Sequence, residues 1–444
     1  MTRLFANAYV VTMDDAGTEH ERGWVLVGED GLVADVGGGA EPAADERVDL
    51  DGRLVTPGLV NTHHHLYQTL TRARAQQADL FTWLKELYPV WAGVDAESEY
   101  AAARTGLAEL ALSGCSTVFD HHYVFPRGRS GLVEAEIQAT RELGVRIVAS
   151  RGSMDLGESQ GGLPPDALVE ELDAILADTE GLAVLHEDGP GAWTQVVVAP
   201  CSPFSVTKRL MTESAELARR LGLRLHTHLA ETVEEEEYCR GLFGCRPVEY
   251  LEQVGWLEGD VWCAHCVHLS DADVAAFARC GTGVAHCPTS NLRLGAGVAP
   301  VRAMVDAGVP VGLGVDGSAS NERGDLFLEV KQALLVARGR GGPEAMTVRD
   351  ALRLGTRGGA EVLGRDDLGS LERGKAADLA CWRLDTLELG GAADPVAGLV
   401  LSGPHRVDRL YVGGEEAVRE GRLVRADEEE IAREHRIQAA RLFR

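Results

Sequence analysis

No run of about 18 apolar residues occurs in this chain, so no transmembrane helix is expected. Its first residues, MTRLFANAYVVTMDD, lack a basic segment leading into an apolar core and a small-residue cleavage site, so no signal peptide is expected either. Basic residues are scarce: 43 Lys and Arg stand against 69 Asp and Glu, for a net charge of −26. A surface this acidic repels phosphate backbones and anionic membranes. The expected partner is therefore a free small molecule, with neither nucleic acid nor membrane. Cysteines number nine, an odd count scattered among apolar neighbours. That suits reduced thiols in a cytoplasm and excludes a disulfide framework. Cys263 and Cys266 form a C-x-x-C with no second pair, and read as buried strand-end residues.

The 444 residues, 45% of them hydrophobic, are enough for a large core and more than one domain. No Pro/Ser linker and no internal repeat divide them. What recurs is an apolar run followed by a helical pattern. The runs are LVTPGLVNT (54–62), STVFD (116–120), VRIVAS (145–150), QVVVAP (195–200), LRLHTHLA (223–230), VWCAH (261–265), GTGVAHCP (281–288) and VPVGLGVD (309–316). Strands alternating with helices predict a parallel sheet, and eight such units predict an α/β (β/α)8 TIM barrel with insertions, over residues 57–366. The two ends have short alternating segments broken by Gly and Asp. Residues 1–56 and 367–444 are therefore expected to build one composite β-sandwich domain, with a terminal helix from Glu428 to Arg444. The acidic run Glu234–Glu237 reads as a solvated helix start without a function.

Barrel enzymes keep their reactive groups at the C-terminal ends of the strands. Here those ends carry His63 and His65, then Asp120 to His122, His228 and Glu231, His265, His286 and Asp316. Buried charged groups are expensive unless paired or metal-bound. Three neutral imidazoles and one carboxylate with an open position make a catalytic zinc set, and His63, His65, His228 and Asp316 supply it. On a strand His64 points away from His63 and His65, so it reads as structural. His226 shares the face of His228 one pair deeper and reads as packing. His268 and His286 read as residues that orient loops. There is no P-loop and no H-E-x-x-H. GLGVDG (312–317) fits G-x-G-x-x-G but lacks the βαβ context of a dinucleotide site. The H-x-E…P-C-x-x-C signature of another zinc class is also missing.

The motifs PGLVNTHHH, HTHLAE, AHCVHLS, HCPTSNLRL, LGVDGSASN and LGSLERGKAADL resemble the amidohydrolase superfamily, and within it the mononuclear aminohydrolases of purines, pterins and triazines. The resemblance implies metal ligands His63, His65, His228 and Asp316. It implies Glu231, His265 and Asp316 as catalytic residues and Gln68 as a purine contact. Tyr123, Cys201, Phe204 and Trp91 are the further candidates for substrate contact. Where guanine-deaminating members carry Arg-Phe, this chain has Cys201-Ser-Pro-Phe204, which points away from plain guanine. The implied cofactor is one divalent ion, Zn2+ with Fe2+ as the alternative. No Lys stands at the fourth strand end, so a two-metal site with a carbamylated Lys, as in ring-opening relatives, is not expected. The implied reaction is hydrolytic deamination of a purine such as 8-oxoguanine, or of another amino-azine, in a cytoplasmic homo-oligomer.

Overall fold

The computed structural model describes residues 1–443. The eight apolar runs form strands Leu59–Asn61, Cys115–Asp120, Arg146–Ser153, Thr194–Pro200, Leu225–Leu229, Val261–His265, Gly283–His286 and Val311–Leu313. These close in chain order into a parallel barrel and are called its first to eighth strands below. They read as continuous apolar runs because helices cover their outer face and side chains fill the inside. Val60, Phe119, Val148, Val197, Trp262, Ala264 and Ala285 form that inner core. Ala360, Val362 and Leu363 of helix Arg357–Leu363 close it from below.

The run at 54–62 serves two sheets. Leu54–Pro57 pairs with Leu379–Trp382 outside the barrel, and Leu59–Asn61 begins the barrel. Gly58 is the break, where a Cβ would lie 2.4 Å from Ser116 Oγ and only a glycine passes. The outer sheet has nine strands drawn from both chain ends, and it is the frame of the small β-sandwich domain. Arg3–Val11, Glu19–Val27, Val33–Gly38, Glu46–Asp49 and Leu54–Pro57 come from the first part, and Leu379–Trp382, Arg409–Val412, Glu415–Arg419 and Arg422–Leu423 from the last. Phe5, Val10, Val25, Val55, Leu379 and Tyr411 pack its core. A buried bidentate pair joins it to the barrel: Arg146 Nε and Nη2 donate to Asp378 at 3.1 and 3.0 Å.

The C-terminal part also holds a helix, Pro395–Ser402, packed on helices Leu326–Gly341 and Val348–Leu354. The terminal helix spans Glu428–Arg441, and Arg444, the last residue of the expected span, lies outside the described residues. It lies on helix Ala96–Leu112, whose buried residues run around most of its circumference and need cover on both sides. Between the first and second barrel strands, a 3-10 turn, Leu66–Thr71, and a helix, Leu80–Trp91, arch over the mouth. No described helix is long and apolar enough to cross a membrane, and all nine cysteines are free.

Candidate active site

At the barrel mouth three imidazoles are held in one tautomer. His65 Nδ1–H donates to the His121 carbonyl at 2.7 Å, and His228 Nδ1–H to the Cys201 carbonyl at 2.6 Å. His226 Nδ1–H donates to the Trp262 carbonyl at 3.0 Å, so its Nε2 accepts from His63 Nδ1–H, also at 3.0 Å. Each of His63, His65 and His228 therefore turns an Nε2 lone pair to the same point. Burial lowers the pKa of His63 to about 3 and holds that of His228 well below the usual value, so both are neutral. His65 Nε2 lies 3.1 Å from His228 Nε2, and Asp316 Oδ1 lies 3.4 and 3.3 Å from the Nε2 atoms of His63 and His65. A tetrahedral ion with ligands at about 2.0–2.1 Å has edges of about 3.3–3.4 Å. The buried His63 Nε2 has no hydrogen-bond partner. These four side chains fit a divalent metal.

His121 is a fourth imidazole beside the set, within 4.8 Å of His63, His65 and His228 by its ring nitrogen. Its Nε2–H donates to the Ala199 carbonyl at 2.9 Å and its ring stacks on His228. Asp316 Oδ1 lies at such an edge from the Nε2 atoms of both His63 and His65. Its other oxygen, Oδ2, accepts from Ser290 at 2.5 Å and Ser320 at 3.0 Å. Burial alone would raise the Asp316 carboxyl, but the adjoining His63, His65 and His265 rings hold it well below the usual carboxylate range.

Glu231 and His265 face the same point. Glu231 Oε2 lies 3.6 Å from His265 Nε2. Burial, then the nearby Asp316 charge, pushes the Glu231 carboxyl well up. His265 Nδ1–H donates to Asn291 Oδ1 at 2.9 Å, which leaves its Nε2 as an acceptor. Ala230, His265 and Asp316 have φ of +50°, +71° and +63°. Such left-handed backbone costs roughly 1–3 kcal/mol per residue and gathers at functional sites. One brace sits inside the acidic run. Glu235 is not solvated: it is fully buried and accepts from the Ala230 and Glu231 amides at 2.8 and 3.0 Å.

A small cavity opens on this cluster. Gln68, Tyr123, Cys201 and Phe204 line it, beside Glu231, His265 and Asp316. Gln68 Oε1 is a buried acceptor with no hydrogen-bond partner in the protein. Burial pushes the Cys201 thiol up to about 12, which removes it as a nucleophile. Trp91 is a correction. Its Nε1–H donates to Thr71 Oγ1 and its ring packs on Tyr67 and Trp83, one layer back, while Trp83 and Tyr88 of the same helix reach the cavity. His64 turns toward Gly106 of helix Ala96–Leu112, as its parity predicts. His226 does more than pack, since it sets the tautomer of His63. His268 and His286 lie outside the cavity lining; His268 Nε2–H donates to the Ala296 carbonyl at 3.0 Å and braces a loop.

Trp83, Tyr88, Ser290, Asn291 and Ser320 had no sequence-based assignment. The available signals were HCPTSN and DGSASN, polar turns directly after the seventh and eighth strand ends.

The sequence model of the amidohydrolase family matches residues 54–417. The chain is 48% identical to 8-oxoguanine deaminase of Pseudomonas aeruginosa, over 94% of each protein. It is 38% identical to an isoxanthopterin deaminase of an unknown prokaryotic organism, over 99% of this chain and 97% of that one. Its fold superimposes on atrazine chlorohydrolase from Arthrobacter aurescens TC1 complexed with zinc with a TM-score of 0.94 and 35% identity, over 98% of this chain and 100% of that one. With clustered imidazoles and a carboxylate at the mouth of a (β/α)8 barrel and a family match over most of its length, the chain belongs to the amidohydrolase family and is a metal-dependent hydrolase of C–N bonds.

Proposed function

We propose that this enzyme hydrolyses the exocyclic amine of 8-oxoguanine, giving urate and ammonia, with zinc held by His63, His65, His228 and Asp316. The observation that carries the reading is Glu231, a buried carboxyl on the cavity wall 3.6 Å from His265 Nε2, which burial and the Asp316 charge push well above the usual carboxyl range. The zinc ion supplies Lewis acidity, which brings the pKa of water near 7. Glu231 gives its proton to the ring nitrogen next to C2 as the C–O bond forms and takes the first proton of the attacking water in its place. His265 Nε2, an acceptor because Nδ1–H is tied to Asn291, takes a hydrogen bond from the attacking water. Asp316 accepts the second water proton and delivers it to the departing amine, while Ser290 and Ser320 fix its rotamer. Gln68 Oε1 accepts from a purine N–H, and Tyr123, Phe204 and Trp83 flank the ring plane. Identity to 8-oxoguanine deaminase of 48% supports the purine.

The second reading is the same chemistry on guanine, isoxanthopterin or a triazine, favoured by the relatedness to isoxanthopterin deaminase. One pocket contact shifts selectivity by only about 1–3 kcal/mol. A kcat/KM panel over 8-oxoguanine, guanine, isoxanthopterin and hydroxydechloroatrazine decides between them. We expect 8-oxoguanine to lead. A lead for another substrate reassigns the ring, and no ammonia from any of them ends the deaminase reading. Glu231→Gln should keep its zinc and lose turnover by about 10²–10⁴-fold, the usual share of general acid catalysis. Ammonia release near the wild-type rate would remove Glu231 from the mechanism.

A further inference from the structure

Behind Tyr67, away from the cavity, three acids and a histidine meet without a counter-charge. Glu99 comes from helix Ala96–Leu112, Glu136 from helix Leu132–Leu143, and Asp120 and His122 from the end of the second barrel strand. All four are 0% exposed. His122 Nε2–H donates to the Val124 carbonyl at 2.9 Å. Its Nδ1 therefore presents a lone pair, which lies 2.8 Å from Glu136 Oε1 and 3.7 Å from Glu99 Oε2. A lone pair facing carboxylate oxygens at that range is repulsive unless something positive lies between them. His122 Nδ1, both oxygens of Glu99, both of Glu136 and Asp120 Oδ2 have no hydrogen-bond partner among the described residues. The nearby guanidinium of Arg151 is spent elsewhere, on Glu170, Asp178 and the face of Phe125.

We propose that Glu99, His122 and Glu136 bind a second divalent metal ion, a structural site separate from the catalytic one. Their three ligand atoms lie within 4.8 Å of one another. One imidazole nitrogen with two carboxylates suits zinc or manganese, where an all-oxygen set would suit calcium or magnesium. Buried acids without partners otherwise hold protons, and burial does push the Glu99 and Glu136 carboxyls up and the His122 ring down. Protons shared between Glu136 and His122, and between Glu136 and its neighbours Glu99 and Asp120, are the competing state; one divalent ion instead neutralises two carboxylates and takes the imidazole lone pair together. The ion would tie two helices to the second strand. Through Asp120 Oδ1, which accepts from the Leu66 amide at 2.6 Å, it would also steady the turn that carries Gln68.

The test is metal stoichiometry on the whole enzyme, saturated with Zn2+ and then desalted. We expect two equivalents per chain in the wild type and in Glu231→Gln, and one in Glu136→Gln. Should Glu136→Gln fail to fold, zinc-edge anomalous scattering from wild-type crystals replaces it, with a peak expected between His122 Nδ1 and the Glu99 and Glu136 carboxyls. One equivalent per chain, or a second equivalent with no peak at that place, overturns the proposal in favour of carboxyls that share protons. The result is independent of which substrate the catalytic site takes.

Discussion

Gly317→Ala is expected to cripple substrate use while leaving the fold and the metal alone. Gly317 follows Asp316, and a Cβ on it would lie 1.9 Å from Gln68 Oε1 and 2.4 Å from Gln68 Cδ. Ordinary contact is 3.4 Å or more, so the amide oxygen must retreat by about 1.5 Å. It can do so cheaply, since Oε1 has no partner in the protein and Nε2 is tied only to Tyr67 Oη at 3.4 Å. Gly317 does not sit in the left-handed region, so alanine accepts its backbone. The unfolded chain loses entropy, which adds about 0.4–1 kcal/mol of stability and moves Tm by only a few degrees. A misplacement of about 1 Å in a positioning group costs up to about 10²-fold in rate. We therefore expect kcat/KM for ammonia release to fall by about 10–100-fold at unchanged zinc content. The effect should be shared with Gln68→Ala, the double variant being no worse than the weaker single. Full activity in a variant whose Gln68 has moved would refute the role of Gln68. A loss of ten degrees or more in Tm would show that the backbone, not the side chain, gave way.

Three further outcomes follow from the same coordinates. His226→Phe removes the acceptor of His63 Nδ1–H and should weaken zinc binding by about 10–100-fold in a chelator competition; unchanged affinity would dismiss the relay. Arg146→Met leaves Asp378 as a buried carboxylate without its guanidinium. It should cost about 3–5 kcal/mol in urea unfolding, with kcat preserved in the folded fraction; a cost under about 1 kcal/mol would mean the two sheets hold together without the pair. Burial pushes Glu329 from 4.5 up to about 7, although it accepts from the Thr289 amide and Asn321 Nδ2. Between those values the folded state holds the extra proton, so this group's contribution falls as pH rises from about 4.5 to 7 and is flat above. The stability difference between wild type and Glu329→Gln should shrink by about 3 kcal/mol over that window, and a difference independent of pH would refute it.

The rim positions could be read from the sequence because of one geometric rule. Apolar runs mark buried strands, and a polar residue directly after such a run lies on the rim. His63, His65, His228, His265 and Asp316 follow from that rule without knowledge of how the strands are ordered. Where the answer depends on which way a surface faces in three dimensions, the pattern was silent. Residues 54–62 form one apolar run, yet Gly58 divides it between two sheets, because the close approach of Ser116 comes from elsewhere in the chain. Glu235 looks like its three neighbours in the sequence, and only its place beneath the Ala230–Glu231 turn makes it a buried acceptor. Helix Leu80–Trp91 carries large side chains at Trp83, Tyr88 and Trp91. Their spacing says that all are buried, not which of them meets the cavity.

The strained positions explain why these misses gather where they do. Ala230, His265 and Asp316 obey the strand pattern up to their own place in the sequence, then turn into the left-handed region that lets the following side chains converge. A two-residue period carries no information about that turn. The turns are held by groups that sequence reading discounts. The Glu235 carboxylate holds the Ala230 and Glu231 amides, Asn291 holds the His265 ring, and Ser290 and Ser320 hold the Asp316 carboxylate. Each supporting group is a small or acidic residue outside the strands, satisfied only when the strained residue is in place. The local rules fail here because the strand ends are bent for chemistry and secured by their neighbours.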